Sequence, residues 1–427
     1  MNPTAFLDVF RNRRTAAVLL LGFSSGLPLA LTGGTLQAWL TDEAVDIRAI
    51  GFFSLVGLPY TLKFLWAPLL DRFAPPWLDR RRGWIATMQI ALAMLIAAMG
   101  ASSPQSALFA VAVLALMLTT ASASQDIAID AYRADILLPS ERGAGAAVSV
   151  FGYRMAMMVS GAFALILADR FDWRLTYGIM AGLMLACLLA TVTAPPMDAA
   201  IPAPKTFSAA VVGPLADFFS RRAAVAFLVL IILYKLGDAF AGSLTTSFLL
   251  AGKGETPGLG FSKTDVGVVN KGFGLIATLA GAFIGGGGLA ALGLYRGLLV
   301  FGVLQALSNL TFMWLARAGA DYGLMVAAIG FENFSGGLGT TASVALLMTL
   351  CNRRYSATQY ALLSALSAVG RVWVGPASGY LVVALGWPSF FFVTFLTALP
   401  GLLLLMWLRN EIDAASAAPS SLTASGG

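Results

Sequence analysis

Three charged side chains in the segment SQDIAIDAYRAD, residues 124–135, have the spacing of one helical face. Asp126 and Asp130 are four residues apart and Arg133 lies three further on, so an α-helix aligns them in one stripe. Asp135 points to the opposite side from Asp126. A carboxyl that adjoins another carboxyl and is partly removed from water can bind a proton near neutral pH. The segment therefore predicts a proton-binding position, with Asp126 preferred because it lies deeper in the preceding apolar run.

The remainder of the chain is strongly apolar. Of its 427 residues, 58% are hydrophobic and 11% are charged, and the mean hydropathy is +0.82. Apolar runs of roughly twenty residues recur along it, long enough to cross the hydrocarbon core of a bilayer as helices. The composition predicts an all-α integral membrane protein.

The absence of His and the scarcity of Cys exclude several kinds of chemistry. Without His, a Ser/His/Asp or Cys/His pairing cannot form, and Cys187 and Cys351 have no metal-ligand spacing. The segment AGKGE lacks the flanking residues of a phosphate loop. We therefore expect no catalytic residue, no metal site and no bound cofactor, although intramembrane catalysis by Asp126 and Asp130 stays conceivable. The net charge of +6 reflects topology rather than nucleic-acid binding.

Twelve transmembrane helices are expected. Their predicted ranges are 15–40, 50–69, 84–101, 106–131, 143–168, 173–194, 223–250, 264–286, 296–316, 322–350, 357–385 and 388–408. The interval 195–222 is predicted to be a cytoplasmic linker, and 410–427 a disordered tail. Phe207, Val211, Leu215 and Phe218 recur in the linker at helical spacing, which favours an amphipathic surface helix.

The distribution of Lys and Arg orients these spans. With the N-terminus inside, sixteen of the 27 basic residues fall in inside segments, six fall outside and five lie within spans. This bias predicts that both termini are cytoplasmic. The apolar N-terminal stretch is too long for a cleaved signal peptide.

Charged residues within the spans are expensive unless they face a polar cavity or one another. Five of them lie near the predicted midplane, on five different spans: Lys63, Arg154, Lys235, Glu332 and Arg371. We infer a shared interior cavity.

Structural alternatives stay open for these charges. Lys235 and Asp238 are three residues apart and can neutralise each other. Arg371 can bond backbone carbonyls around Pro376. Lys63 and Arg154 can pair with Glu332 or Asp238 as cross-links between helices.

The shallow charges of the opening segment also have a structural interpretation, which we prefer for them. Asp130, Arg133 and Asp135 can fasten their helix to the loop DRFAPPWLDRRRG, which carries three consecutive Arg at 80–82 on the same membrane face.

The two groups of six spans share a weak internal similarity. At an offset of 218 residues, small residues coincide, including Gly152 with Gly370 and Gly161 with Gly379. Two six-helix halves of equal orientation, 1–194 and 223–409, are typical of the major facilitator fold, with a site near the midplane between them. Chance matches among small residues are the alternative.

Long strings in the first half resemble the AmpG-type muropeptide permeases of Gram-negative bacteria. They are GFSSGLPLALTGGTLQAWL at 22–40, IGFFSLVGLPYTLKFLWAPLLDRFAPP at 50–76 and SASQDIAIDAYRADILLPSERGAGAAVSVFGYRMAMMVSGAFALILAD at 122–169. In the second half, GRVWVGPASGYLV at 370–382 is the best match. The resemblance implies a proton-linked importer of anhydro-muropeptides in the inner membrane, powered by the proton gradient without a cofactor. It also implies a monomer among lipids, with a role in wall recycling and hence in β-lactamase induction.

The resemblance carries over particular residues. The motif residues it implies are Gln125, Asp126, Asp130, Glu141, Arg142 and Arg154. Asp71 and Arg81 correspond to the gating loop of major facilitators, and Arg133, Glu141 and Arg142 complete the gating candidates. An inserted APPWLD departs from the usual loop and puts the pairing of Asp71 with Arg81 in doubt.

A muropeptide would need groups for carboxylates, sugars and amides. Basic candidates for its carboxylates are Lys63, Arg154, Lys235, Lys271 and Arg371, while Tyr234 and Trp373 can stack on sugar rings. Gln37, Gln125 and Asn333 can bind hydroxyls and amides. Asp238 and Glu332 join Asp126 and Asp130 as proton-coupling candidates.

Two rival functions stay open. One is a major facilitator for another solute, such as an acetyl-CoA-like compound, a sugar or a drug. The other is a membrane receptor for wall fragments, against which we count the lack of a soluble domain before 15 or after 409.

Overall fold

The computed structural model describes residues 12–137, 142–196, 218–219, 223–252, 256–351 and 356–417. All regular elements in these ranges are helical. In chain order, the α-helices α1 to α18 are Arg13–Thr32, Gly34–Asp42, Ile47–Phe52, Leu58–Leu62, Ala67–Arg72, Arg80–Ala101, Pro104–Ile136, Arg142–Met158, Ala164–Arg170, Trp173–Thr193, Ala224–Tyr234, Leu236–Leu250, Lys263–Val266, Gly274–Leu292, Leu294–Ala318, Tyr322–Thr349, Ser356–Trp407 and Arg409–Ala417. Short 3₁₀ segments are Phe53–Gly57 and Lys63–Leu65, and π-helical segments are Val159–Phe163 and Gly267–Phe273.

Nine helical stretches in this part of the chain are long and apolar enough to cross a membrane. They are Arg13–Asp42, Arg80–Ala101, Pro104–Ile136, Ala147–Arg170, Trp173–Thr193, Ala224–Leu250, Lys263–Leu292, Leu294–Ala318 and Leu363–Trp407. The protein is therefore an all-α membrane protein, as the composition indicates. The total of twelve spans stays a prediction.

The span predicted near 50–69 is helical but is not one continuous α-helix. The structure has α3, α4 and α5 there, separated by the two 3₁₀ segments. Pro59 and Pro68 lack the backbone N–H that a continuous helix needs, and each ring clashes with the preceding turn. Lys63 consequently lies at a break in the helix.

The two final spans predicted at 357–385 and 388–408 are joined as α17. Gly386 has φ 72° and ψ 163°, so the helical path bends sharply at that residue. Only glycine adopts this backbone conformation readily, which explains how two pieces connect without a loop.

Two compact units make up the chain. The first contains Met1–Ala203 together with Leu249–Gly272, and the second contains Pro204–Phe248 together with Phe273–Gly427. The sequence-based boundaries at 194 and 223 remain predictions.

Close helix packing holds the first unit together. Gly22 and Gly26 of α1 lie against the backbone of Ser149 and Tyr153 in α8, and Gly152 of α8 lies against Leu19 of α1. A Cβ atom at any of the three glycines would overlap a carbonyl oxygen of the facing helix. Small residues four apart permit this approach, which is how membrane helices gain packing energy.

Glycines also allow close helix packing in the second unit. Gly281 of α14 lies against Phe334 of α16, and Gly337 of α16 lies against Thr278 and Ala282. Its apolar core includes Phe227, Leu230 and Leu405. Phe218 of the predicted linker is buried in that core, while the other linker residues predicted to be amphipathic lie outside the described ranges.

The segment Leu249–Gly272 belongs to the first unit although it follows two helices of the second. Lys263 Nζ lies 2.9 Å from Asp42 Oδ2, and Thr264 Oγ1 donates to Asp169 Oδ2 at 2.5 Å. A Cβ on Gly267 would lie 2.9 Å from Ala162 O, which shows a close crossing of helices. These contacts fasten the segment to helices that the sequence places about one hundred residues or more away.

Candidate functional site

Asp126 has a defined set of polar neighbours in the first unit. It lies on α7, and Ser25 of α1 donates to its Oδ1 at 2.5 Å. Lys63 and Asp130 are close enough to interact with its carboxyl electrostatically. Asp126 is half-buried, so a carboxylate there has a hydroxyl donor and is also attracted by the ammonium group of Lys63. This arrangement can hold a negative charge or a proton inside the bundle.

Polar groups of the broken second span face the same helix. Tyr60 OH lies 2.9 Å from Ser122 Oγ, and Trp66 Nε1 donates to Ser124 Oγ at 3.0 Å. The helix break at Lys63 frees this region from a regular helical face. These bonds to α7 hold it in place and bring the Lys63 side chain near Asp126.

Gln125 is placed differently from its neighbour. Its side chain is 0% exposed, and its Nε2 donates to Ser24 Oγ at 2.6 Å. Gln89 Nε2 donates to the same oxygen at 2.8 Å, and Thr191 Oγ1 donates to Gln89 Oε1 at 2.7 Å. Gln125 thus belongs to a buried network that cross-links α1, α6, α7 and α10. Its predicted contact with substrate remains a prediction, and it would require this network to open.

The shallow charges of the opening segment form ion pairs. Arg133 Nη2 lies 3.0 Å from Asp130 Oδ1, and Arg133 Nη1 donates to Ser149 Oγ at 3.0 Å. Arg81 Nε lies 3.4 Å from Asp135 Oδ2. Asp135 therefore ties α7 to the start of α6, in agreement with the structural interpretation. Arg81 has Asp135 as a partner.

The remaining gating candidates are described only in part. Asp71 and Arg142 lie at the ends of α5 and α8, and the structure gives no account of their side chains. Glu141 lies outside the described ranges.

In the second unit, Lys235 lies where α11 meets α12. Its Nζ is 3.6 Å from Asp238 Oδ2, 3.2 Å from Thr340 Oγ1 and 3.5 Å from Gly336 O. The open alternative, that Lys235 and Asp238 neutralise each other on one helical face, agrees with this geometry.

Three further candidates of this unit, Glu332, Asn333 and Tyr234, are engaged with neighbouring groups. Asn333 Nδ2 donates to Glu332 Oε2 at 2.7 Å and to Ile329 O at 3.0 Å. Tyr234 is buried, and its hydroxyl donates to Leu298 O at 2.9 Å. The carboxylate of Glu332 is thus bound by an amide of the adjacent residue.

The other candidates have varied surroundings. Arg154 is half-buried and donates to Met157 Sδ at 3.8 Å. Gln37 and Lys271 are also half-buried, whereas Arg371 and Trp373 are exposed, the latter by 58%. The geometry around these five residues does not decide the roles predicted for them.

Sequence reasoning missed several polar residues that the structure brings to these sites. Ser24, Ser25, Gln89 and Thr340 carry no charge and stand out only as polar residues within apolar runs. A search for uncharged polar side chains inside the predicted spans would have found them.

Comparison with known proteins finds a matching family model and a similar permease. The model of a family described as acetyl-coenzyme A transporter 1 matches residues 16–173. The anhydromuropeptide permease of Escherichia coli strain K12 is 53% identical over 409 residues, which cover 96% of this chain and 82% of the permease.

Solved structures show the fold. A bacterial homolog of the human lysosomal transporter Spinster, inward-facing and unoccupied, has a TM-score of 0.74 at 13% identity and covers 96% of this chain and 99% of its own. A peptide transporter, POT, in complex with alafosfalin has a TM-score of 0.72 at 13% identity, with 95% and 96% coverage. These are transporters with the major facilitator fold, and no enzyme is among the relatives named here. With the identity and coverage of the permease, the chain belongs to the anhydromuropeptide permease family.

Proposed function

We propose that this protein imports anhydro-muropeptides across the bacterial inner membrane by alternating access, driven by the proton gradient. The observation that carries the proposal is the 53% identity to the Escherichia coli permease over 96% of this chain. Similarity of that extent includes the segments around Asp126 and Arg154, where the candidate proton and carboxylate positions lie.

Asp126 is the proposed proton carrier. A hydroxyl donor at 2.5 Å and the attraction of the Lys63 ammonium stabilise the carboxylate, and Asp130 opposes it, which supports a group that gains and loses a proton during a cycle. Asp130, Asp238 and Glu332 are secondary candidates. The basic residues predicted above would hold the peptide carboxylates of the substrate.

The proposal includes placement and assembly. We propose that both termini are cytoplasmic, that the protein acts as a monomer among lipids, and that it is powered by the proton gradient without a cofactor. The Lys and Arg distribution supports the orientation.

Uptake into proteoliposomes tests the function. We expect accumulation of a labelled anhydro-disaccharide peptide under an inward proton gradient, loss of accumulation with a protonophore, and severe impairment in Asp126→Asn. Asp413→Asn is the matched control, because Asp413 is exposed and pairs with Arg409 on the last helix. Uptake that survives collapse of the gradient would refute the coupling.

A second candidate, an acetyl-CoA-type solute, is favoured only by the family model over residues 16–173. Competition separates the two. We expect unlabelled muropeptide, and not acetyl-coenzyme A, to reduce the uptake of labelled muropeptide. Uptake of labelled acetyl-coenzyme A that unlabelled muropeptide does not reduce, with no uptake of labelled muropeptide, would favour the second candidate.

A further inference from the structure

A small polar cavity lies inside the second unit, behind the Lys235–Asp238 pair. Its polar lining comes from Tyr234, Asp238, Gln305 and Asn309, and its interior has room for about one water molecule. Gln305 and Asn309 are on α15, four residues apart and therefore on one face. The cavity is separate from the Asp126 cluster, which belongs to the first unit.

The two amides are deeply buried and their polar atoms are unpaired. Gln305 is 4% exposed and Asn309 is 1% exposed. Both amide atoms of each side chain have no hydrogen-bond partner within the described ranges. Rotating either amide by half a turn exchanges its nitrogen and oxygen and leaves the same two atoms unpaired, so the observation does not depend on that assignment. Buried polar groups in native proteins almost always have a partner in protein or in ordered water.

The carboxylate of Asp238, which also lines the cavity, can accept further hydrogen bonds. Its Oδ2 is 3.6 Å from Lys235 Nζ, which is too long for a direct hydrogen bond. A polar contact at such a distance is commonly completed by a bridging water. Gly339 of α16 leaves space for the polar groups, since a Cβ there would lie 2.5 Å from Gln305 Oε1 and 3.6 Å from Lys235 Nζ.

We propose that this cavity is a binding site for ordered water, held by Gln305 and Asn309, that hydrates the Lys235–Asp238 ion pair. Two amides supply both hydrogen-bond donors and acceptors. Water can use both kinds of group, whereas a cation can be bound only by the acceptors, so the lining fits water better. The ammonium of Lys235 beside Asp238 also disfavours a second cation. The bound water completes hydrogen bonds that a dry bundle would leave unmade, and it lowers the cost of keeping the pair charged inside the bundle.

A density map at a resolution that shows ordered water tests the site directly. We expect a peak about 2.7–3.2 Å from an amide atom of both Gln305 and Asn309. A cavity without density, in a map that shows ordered water elsewhere in the protein, would overturn the proposal. So would continuous density for a lipid or detergent chain.

A thermal-unfolding cycle on the purified full-length protein tests it independently of any map. Asn309→Leu and Gln305→Leu each replace an amide by an apolar group of similar size. If water is bound, each change removes a hydrogen-bond partner of that water, and we expect a lower melting temperature. If the cavity is dry, each change removes an unpaired polar group, and the melting temperature rises. A rise in both single variants would therefore overturn the proposal.

The double variant, with both Gln305 and Asn309 replaced by Leu, tests whether one water molecule binds both amides. When one water binds both amides, the second substitution has less left to remove, so the loss in the double variant is smaller than the combined single losses. Additive losses would contradict a shared water. Ser308→Ala is the control on the same helix, because the Ser308 hydroxyl already donates to Gln305 O within that helix, and we expect little change.

Sodium distinguishes water from a cation. We expect the same melting temperature in sodium chloride and in choline chloride at equal ionic strength. A sodium-dependent rise that disappears in Asn309→Leu would assign the cavity to a cation and overturn the proposal. All these measurements are made without substrate, so their outcome is separate from the muropeptide proposal.

Discussion

At the scale of single residues, the two neighbours Gln125 and Asp126 show how one helical step separates different tasks. They are adjacent in sequence, but successive positions on an α-helix point about 100° apart. Gln125 lies in a fully buried amide and hydroxyl network, whereas Asp126 is half-buried beside Ser25 and Lys63. The network supports the helices and the carboxylate carries the candidate chemistry.

Ser25→Ala tests the hydrogen bond to Asp126. The variant removes a donor to a carboxylate, an interaction of about 1.5–3 kcal/mol when the acceptor is charged. If that bond differs between the states of the transport cycle, uptake slows by roughly tenfold or more. Initial rates of muropeptide uptake measure the effect. Ser25→Thr, which keeps a hydroxyl, should retain most of the rate; a wild-type rate in Ser25→Ala would show that the bond is dispensable.

Gln89→Leu tests the buried network without touching the candidate site. It removes one of the two amide donors to Ser24, whose oxygen keeps the bond from Gln125, and it removes the acceptor of Thr191. A buried polar group left unpaired costs about 1–3 kcal/mol. We expect a clear loss of stability in a denaturant titration in mixed micelles. Thr193→Val is the control, because its exposed hydroxyl bonds only to carbonyls of its own helix. Equal stability of both variants would mean that the network contributes little.

At the scale of elements, glycine determines which helices come close. α1 carries Gly22 and Gly26 four residues apart, and both lie on α8, while Gly152 of α8 returns the contact. The segment GFSSG could be recognised in the sequence as a small-residue motif, but the motif does not name its partner. Only the packed structure shows that α8 is the helix against which it lies.

Gly152→Ala tests this packing. A Cβ at this position would overlap Leu19 O, so α1 and α8 must move apart, and overpacking of this kind costs about 1–3 kcal/mol. We expect a lower melting temperature in detergent. Gly178→Ala on α10 is the matched control, because nothing lies within 4 Å of its Cβ position and Ala is the better helix former. Similar melting temperatures for both variants would refute the close approach.

At the scale of the whole molecule, the order of the chain and the compact units differ in one place. The segment Leu249–Gly272 follows α12 of the second unit but packs with the first. Lys263 binds Asp42, and the Asp42 carboxylate also accepts from Trp173 Nε1 at 2.7 Å. Local sequence patterns cannot reveal such contacts, because the partners are joined only when the helices assemble.

The orientation of the whole chain is a further prediction. Counted with the N-terminus inside, sixteen basic residues in inside segments against six outside predict that both termini are cytoplasmic. A green fluorescent protein fused after Gly427 should fluoresce in cells, because this reporter does not mature in the oxidising periplasm after export through the general secretory route. Alkaline phosphatase at the same position should be inactive. A dark green fluorescent protein fusion with an active phosphatase fusion would reverse the proposed orientation.

The sequence by itself determined the membrane class, the helical fold and the stripe of charge on α7. These follow from composition and from the fixed period of the helix, which act over a few neighbouring residues. It also indicated that Lys235 and Asp238 could pair, since they lie three residues apart within one predicted span. The sequence did not show the break at Lys63, although Pro59 and Pro68 were visible signals for it.

The tertiary structure alone decided which side chains meet across helices. In the structure, Ser25 hydrogen-bonds to Asp126, Gln125 belongs to a buried network, and Gln305 and Asn309 line the same cavity as Asp238. These residues are separated by roughly seventy to one hundred positions, and no periodicity links them. Their contacts depend on which glycine-lined faces allow two helices to approach, a property of the assembled bundle and not of any one segment.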